Sequence, residues 1–475
     1  MSEIGKIKKF LKAEPLKTVK NPDSLSSEEI FQLFLPDILP ENEKDLLTMF
    51  FVYKYKGKRI ERKDDERLSD LIKADYIMDG TLLSETISTL THINRYKKRG
   101  GEKLTAEQFR QTIFNMINDY SVKLDEKDLK ILNAITQDMF ITLREVSSQT
   151  SISYRTVQHH KKKLEERCLL EVTSRLDYSK IGLTNLVIMV EGDANVECPY
   201  LLSRHELWGG APHTVFSIAV PPRAIKDIQK VFAKHFTRIW MWNIERFLAN
   251  NSFVFYDTSK YDWNINWSSW SLYLSDVLSK GWNTIIPQEL APFLTEETSH
   301  GDMPPLTEFD LRFIETLLYK LDTPLEELSH KFNSSVGGVA RTKKNFLDSE
   351  ILVPLLRIEN IGLNESILLI VESDLNILKS FVIAIKELPR AWIYLMHSLE
   401  HNPQPFLACW LEVPTGGFTP FERSVRQTLR SLAKYKLFFR SKHEGSTILT
   451  LHKLYNPETQ TYEWNPEMLK INLRE

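Results

Sequence analysis

A pattern that opens near residue 124 returns with a constant offset of 182 residues, and this repetition constrains the chain more than any other feature. The first occurrence carries Leu124, Asp125, Asp128, Ile131 and Leu132, then Leu143, Glu145 and Val146, then Ser153, Val157 and Leu164. The second carries Leu306, Asp310, Phe313 and Ile314, then Leu325, Glu327 and Leu328, then Ser335, Val339 and Phe346. Three amphipathic blocks recurring without a gap predict two copies of one supersecondary unit.

With 475 residues the chain exceeds a single core. Its 42% apolar and 26% charged residues fit a globular protein, and no apolar run approaches the ~20 residues that span a bilayer. The Lys-rich start (Lys6, Lys8, Lys9, Lys12) has no apolar segment of a secretory signal, so a cytoplasmic location is expected. Cys168, Cys198 and Cys409 are too scattered for a disulfide or zinc framework; no metal and no cofactor are expected. The net charge of −2 is uninformative, because local clustering of basic residues decides nucleic-acid affinity.

After each helical block the pattern changes to short strands. Residues 169–173 and 176–178 read as a two-stranded wing, and Leu186–Val190 reads as a buried strand. A helix at Val196–Arg204, strands near Glu206–Trp208 and Thr214–Val220, a helix containing Ile225, Ile228 and Phe232, and a strand at Arg238–Ile244 follow. The second occurrence gives strand Ile367–Val371, helix Leu375–Leu388, strands Ala391–His397 and Phe406–Val413, helix Phe421–Ala433 and strand Tyr435–Arg440. Strand-helix-strand-strand-helix-strand is the order of a ferredoxin-like sandwich.

The expected fold class is therefore α+β: two winged helix-turn-helix units, each followed by a ferredoxin-like α/β sandwich, plus an N-terminal mainly helical region. The boundaries are 1–120 for the helical region, 121–182 and 306–362 for the winged helices, 183–281 and 363–475 for the sandwiches with their tails, and 282–305 for a Pro-rich linker. The N-terminal region holds a basic stretch from Lys54 to Lys63, and Asp45-Leu46-Leu47 offers the start of a degenerate winged helix.

The third helix of the first unit points to duplex DNA. Stepping about 100° per residue from Val157 puts Leu164 and Cys168 on the core side and Arg155, His159 and Lys162 opposite, with Gln158 on the flank. Arg155, Gln158 and His159 are the expected base readers, because Arg and Gln side chains match guanine and adenine edges in the major groove. Ser153, Tyr154, Lys161, Lys162 and Lys163 are expected on phosphates, which supply affinity without sequence information. In the second unit Arg341, Lys343 and Lys344 take that role, although Gly337 and Gly338 replace Arg155 and Thr156. Ser151 or Ser153 is placed to cap this helix, and Thr142 the helix before it.

Leu124, Asp125, Asp128, Ile131 and Leu132, followed by Leu143–Val146, Ser153, Thr156, Val157 and Leu164–Glu166, resemble the Lrp/AsnC family of winged helix-turn-helix regulators. The resemblance implies mainly prokaryotic transcription factors that dimerise through their sandwiches, many sensing amino acids. With two units the chain looks like a covalent pseudo-dimer. The expected partners are double-stranded DNA, a small-molecule effector such as an amino acid, and further copies through the sandwich domains; no membrane is expected.

The expected function is thus a sequence-specific DNA-binding transcriptional regulator and not an enzyme. One competing reading is a ligand sensor or scaffold that keeps the fold without DNA. Another is a tetrapyrrole enzyme similar to the sirohaem decarboxylases, with Trp208, Gly209, Gly210, Ala211, Pro212 and His213 at the site. His213 reads more simply as a strand-edge surface residue. Trp240, Trp242, Trp263, Trp267 and Trp270 read as packing residues rather than as a base-stacking platform.

Overall fold

The computed structural model describes residues 31–32, 35, 38–56, 66–78, 82–97, 103–284, 290, 293–294, 305–399, 404–430, 432–446 and 449–473. They fall into two units: Met1–Lys123 with Lys162–Leu169 and Glu359–Gly362, and Leu124–Lys161 with Leu170–Ile358 and Leu363–Glu475.

The first unit contains helices α1 (Glu41–Lys56), α2 (Glu66–Ile77), α3 (Leu82–Lys97) and α4 (Ala106–Asp119). Phe31, Leu47, Phe50, Phe51, Leu83, Leu90 and Phe109 form its core, with the rings of Phe31 and Phe51 stacked at 4.3 Å. Asp45 lies inside α1 rather than ahead of it, and residues 41–119 hold no strand among the described residues. Lys54 pairs with Asp75 at 2.8 Å, whereas residues 57–65 of the basic stretch, the Lys-rich start and most of the 282–305 connection lie outside the described residues. Asn360 links the remaining pieces of this unit, accepting from Val122 N at 2.7 Å and donating to Arg167 O at 3.1 Å.

The chain continues with α5 (Glu126–Gln137), α6 (Leu143–Thr150), α7 (Tyr154–Arg167), β1 (Glu171–Leu176), β2 (Thr184–Glu191), β3 (Ala194–Glu197), β4 (Leu201–Trp208), β5 (Pro212–Val220), α8 (Ile225–His235), β6 (Ile239–Asn251), the short pair β7 (Tyr256–Asp257) and β8 (Asp262–Trp263), and α9 (Trp267–Lys280). The same order then recurs in large part: α10 (Glu308–Tyr319), α11 (Leu325–Phe332), α12 (Val336–Asp348), β9 (Leu352–Arg357), β10 (Glu365–Glu372), α13 (Leu375–Ile385), β11 (Arg390–Ser398), β12 (Pro405–Val413), α14 (Phe418–Leu429), β13 (Lys434–Ser446), α15 (Leu451–Leu454), β14 (Tyr455–Asn456), β15 (Thr461–Tyr462) and β16 (Lys470–Leu473).

Eight strands close one barrel in the order β10-β12-β11-β6-β2-β5-β4-β13. The two regions expected to form sandwiches contribute four strands each to this one barrel. A four-stranded antiparallel sheet leaves two rows of unpaired backbone groups, and here β6 pairs with β11 and β13 with β4, so no edge is left open. The runs Leu186–Val190 and Ile367–Val371 are apolar on both faces because both faces are covered. Met189, Leu368 and Ile370 face the lumen with Leu207, Val215, Trp242, Met396, Ala408 and Phe438. Ile367, Leu369 and Val371 face the opposite way, into a helical layer.

That layer is built by exchange. The α9 helix, from the tail of the first half, lays Trp270, Leu274 and Val277 against Phe381 of α13 and Phe421 and Val425 of α14 in the second half. The tail of the second half returns the favour: β16 pairs antiparallel with β3, Tyr200 donates to Glu463 O, Arg223 to Tyr462 O at 2.6 Å, and Trp464 Nε1 to Asp227 at 3.1 Å. Residues 196–204 accordingly form strands β3 and β4 rather than the expected helix. Strand β16, at least 273 residues further along, pairs with β3, while β4 pairs with β5 and β13. The expected two-stranded wing is also absent. Residues 169–170 precede β1, and β1 pairs in register with β9, Glu171 opposite Arg357 through Leu176 opposite Leu352.

Candidate nucleic-acid interface

The first helix-turn-helix is held by local polar contacts. Asp125 caps α5, accepting from Lys127 N at 2.8 Å and Asp128 N at 2.9 Å, while Asp128 accepts from Asp125 N at 2.9 Å. Thr142 and Glu145 form the same reciprocal capping box on α6. The turn passes through Ser151 in the left-handed region (φ 56), and Ser147 Oγ donates across it to Ile152 O at 2.6 Å. Ser153, not Ser151, begins α7, accepting from Thr156 N at 3.3 Å.

The carboxylate of Asp128 is completely buried, and its second oxygen lies 2.7 Å from Nδ1 of His160 on α7. This contact fixes the rotation of α7 about its own axis. Asp128 belongs to the repeated sequence pattern, but a pairing with His160 was not expected from it. The signal was present, since about 100° per residue leaves His160 only ~60° from the Val157 direction, on the inner flank. Asp125, Asp128 and His160 bring three potential cation ligands within 4.8 Å of one another. Their oxygens already serve the capping box and the histidine, so the cluster is explained as structural.

With α7 oriented in this way, Tyr154, Arg155, Gln158, His159 and Lys162 are exposed, whereas Val157, Leu164 and Cys168 are buried. Lys161 and Lys163 are half-buried, and Lys163 Nζ lies 3.5 Å from Lys123 O. The three lysines expected on phosphates are thus divided: Lys162 faces outward, its ammonium 3.7 Å from Glu166, while its neighbours lie along the flanks. Adjacent residues on a helix point 100° apart, which makes this division unavoidable.

The second helix-turn-helix repeats the local devices. Thr307 and Asp310 form its capping box, Asn333 (φ 47) takes the place of Ser151, and Ser329 Oγ donates to Ser334 O at 2.6 Å. Ser335 caps α12 by accepting from Gly338 N at 3.1 Å. A side chain at Gly337 would meet nothing within 4 Å, so packing does not require that glycine. Arg341 and Lys344 are exposed. Lys343 is half-buried, and burial lowers its pKa from the ordinary lysine value, which separates it from the two outward cations.

The other candidate positions lie elsewhere. His213 is on β5, an internal strand of the barrel, and not on an edge; its ring packs 4.9 Å from that of Phe438 and 6.1 Å from that of Trp240. Gly209 lets this corner close, because an added Cβ would lie 2.5 Å from Phe438. Trp240 and Trp242 belong to the lumen, and Trp263, Trp267 and Trp270 pack against Tyr256 and Phe421. Cys168 and Cys409 are buried, and no disulfide joins any of the three cysteines.

Residues 124–167 match a family described as winged helix-turn-helix DNA-binding. No curated protein matches the chain. Among solved structures, the siroheme decarboxylase NirDL is similar at 14% identity and a TM-score of 0.43, covering 68% of this chain and 94% of that one. Its co-complex with an iron-uroporphyrin III analogue gives 12% and 0.41 over the same shares. The crystal structure of PH0061 gives 15% and 0.20 over 26% of this chain and 95% of that one. No helix among the described residues is long and apolar enough to cross a membrane.

Proposed function

We propose that the chain is a sequence-specific regulator of transcription that binds double-stranded DNA in the cytoplasm, built as a covalent pseudo-dimer of two Lrp/AsnC-like units whose ferredoxin-like halves close one barrel. The observation that carries this reading is the exposed face of α7, where Arg155, Gln158, His159 and Lys162 lie together on the helix that such domains place in the major groove. Arg155, Gln158 and His159 read base edges. Ser153, Tyr154 and Lys162 hold phosphates, with Lys161 and Lys163 reaching the flanking strands from the sides of the helix. On α12, Arg341 and Lys344 bind the backbone, and Lys343 contributes less because it is half-buried. Unlike recognition helices in one chain suit an operator that is not a palindrome, and the covalent link raises the effective concentration of the second half-site.

The test begins with duplexes selected from a random pool by the purified chain, with affinity then measured at two salt concentrations. Arg155→Ala combined with His159→Ala should erase preference for the selected sequence, at about 1–3 kcal/mol per lost contact, and leave weak general binding. Lys162→Ala should weaken every duplex alike and flatten the salt slope. Unchanged affinity in both variants would remove α7 from the interface.

A further inference from the structure

The barrel is closed laterally but not filled at the end where β2 and β10 finish. A cavity of about 520 Å³ opens there, within the range that takes small organic ligands. Trp240, Trp242, Phe406 and Ile370 give it flat, apolar walls. Its polar rim has an unbalanced charge. Glu191 is paired with Arg238 at 3.0 Å and Glu372 with Lys434 at 3.0 Å, which leaves Lys436 as the extra cation. The Lys436 ammonium rests 3.4 Å from the centroid of the Trp240 ring. Burial and the nearby Arg238 hold its pKa below the ordinary lysine value, with Glu372 and Glu191 opposing them in part, and a further anion beside it would oppose them more.

The two halves differ at this point. Trp240 and Lys436 occupy corresponding positions, opposite Met189 on β2 and opposite Ile370 on β10, on strands that face each other across the lumen. On one side of this pair, His213 and Phe438 pack ring to ring; on the other, beside Phe406, the space is empty.

We propose that this mouth binds a small, flat monocarboxylate, its ring among Trp242, Phe406 and Ile370 and its carboxylate on Lys436. The carboxylates near this ammonium, Glu372 and Glu191, are paired with Lys434 and Arg238, so the rim has one cation in excess and suits one further negative charge. A ligand with several carboxylates would leave the others without partners at an apolar wall, which is costly. The inference does not depend on DNA binding, and its test uses no DNA.

Naphthoate and its neutral analogue naphthamide, titrated into the full chain by calorimetry, separate charge from shape. Naphthoate should bind saturably with one site per chain, and naphthamide about tenfold more weakly. Lys436→Gln should reduce naphthoate affinity about tenfold and leave naphthamide unchanged, and Lys436→Arg should restore the preference for the acid. Lys436 is at the exposed rim, so the thermal midpoint of these variants should stay at the wild-type value, which distinguishes a lost contact from a damaged barrel. Equal affinity for acid and amide, no effect of Lys436→Gln on naphthoate, or no saturable binding would each overturn the assignment.

Discussion

Asp128 joins two tasks in one side chain. One oxygen closes the capping box on α5 and the other holds His160 of α7, so the residue that starts the first helix also sets the direction of the third. Replacing it with Ala strips a buried ring nitrogen of its partner and removes half of a cap. Asp128→Ala should therefore lower stability by about 2–3 kcal/mol in urea unfolding. The outward residues Arg155 and His159 are untouched by that change, yet affinity for a selected duplex should fall with them still present. Asp128→Asn, which keeps an acceptor, should recover part of both losses. Exposure at this scale was readable from helical periodicity, because Val157, Leu164 and Cys168 announce the buried stripe. The inward flank of His160 follows from the same periodicity, but its partner does not, since Asp128 lies 32 residues away on another helix.

Among elements, those whose partners are close in sequence were legible and those completed from afar were not. Capping residues, apolar spacing and prolines located α5 to α8 and α10 to α14 to within a few positions. β1 and β3 failed for one reason: each finds its hydrogen bonds on a strand of the other half, β9 and β16. Nothing in residues 194–197 reveals that their partner comes at 470–473. The exchanged helix α9 gives a direct measure of this dependence. Trp270 is buried against Phe421, and its indole donates to Ala384 O at 3.0 Å. Trp270→Ala should cost about 3–5 kcal/mol, read by thermal or urea unfolding, although the residue belongs to the tail of the first half and its contacts to the second. A neutral outcome would mean that α9 is a surface passenger.

For the molecule, the closed barrel makes the two halves one folding problem. Its strands alternate between a shared lumen and two helical layers, and each layer borrows an element from the opposite tail. A chain lacking residues 455–473 should keep the helical layer of α9, α13 and α14 but uncover the region around Tyr200, Arg223 and β3. The expected result is a lower unfolding midpoint with increased binding of an apolar fluorescent dye. An unchanged midpoint would show that the second tail is dispensable.

The pairing of β3 with β16 also has a consequence in time. The two strands are separated by 273 residues, so on a ribosome moving at ~5–20 residues per second the earlier one waits roughly 15–55 s for its mate. Throughout that interval the first half emerges with an incomplete outer layer and bare backbone groups. Synthesis order, and whatever shields nascent chains in the cell, thus enters the biography of this protein before any ligand does.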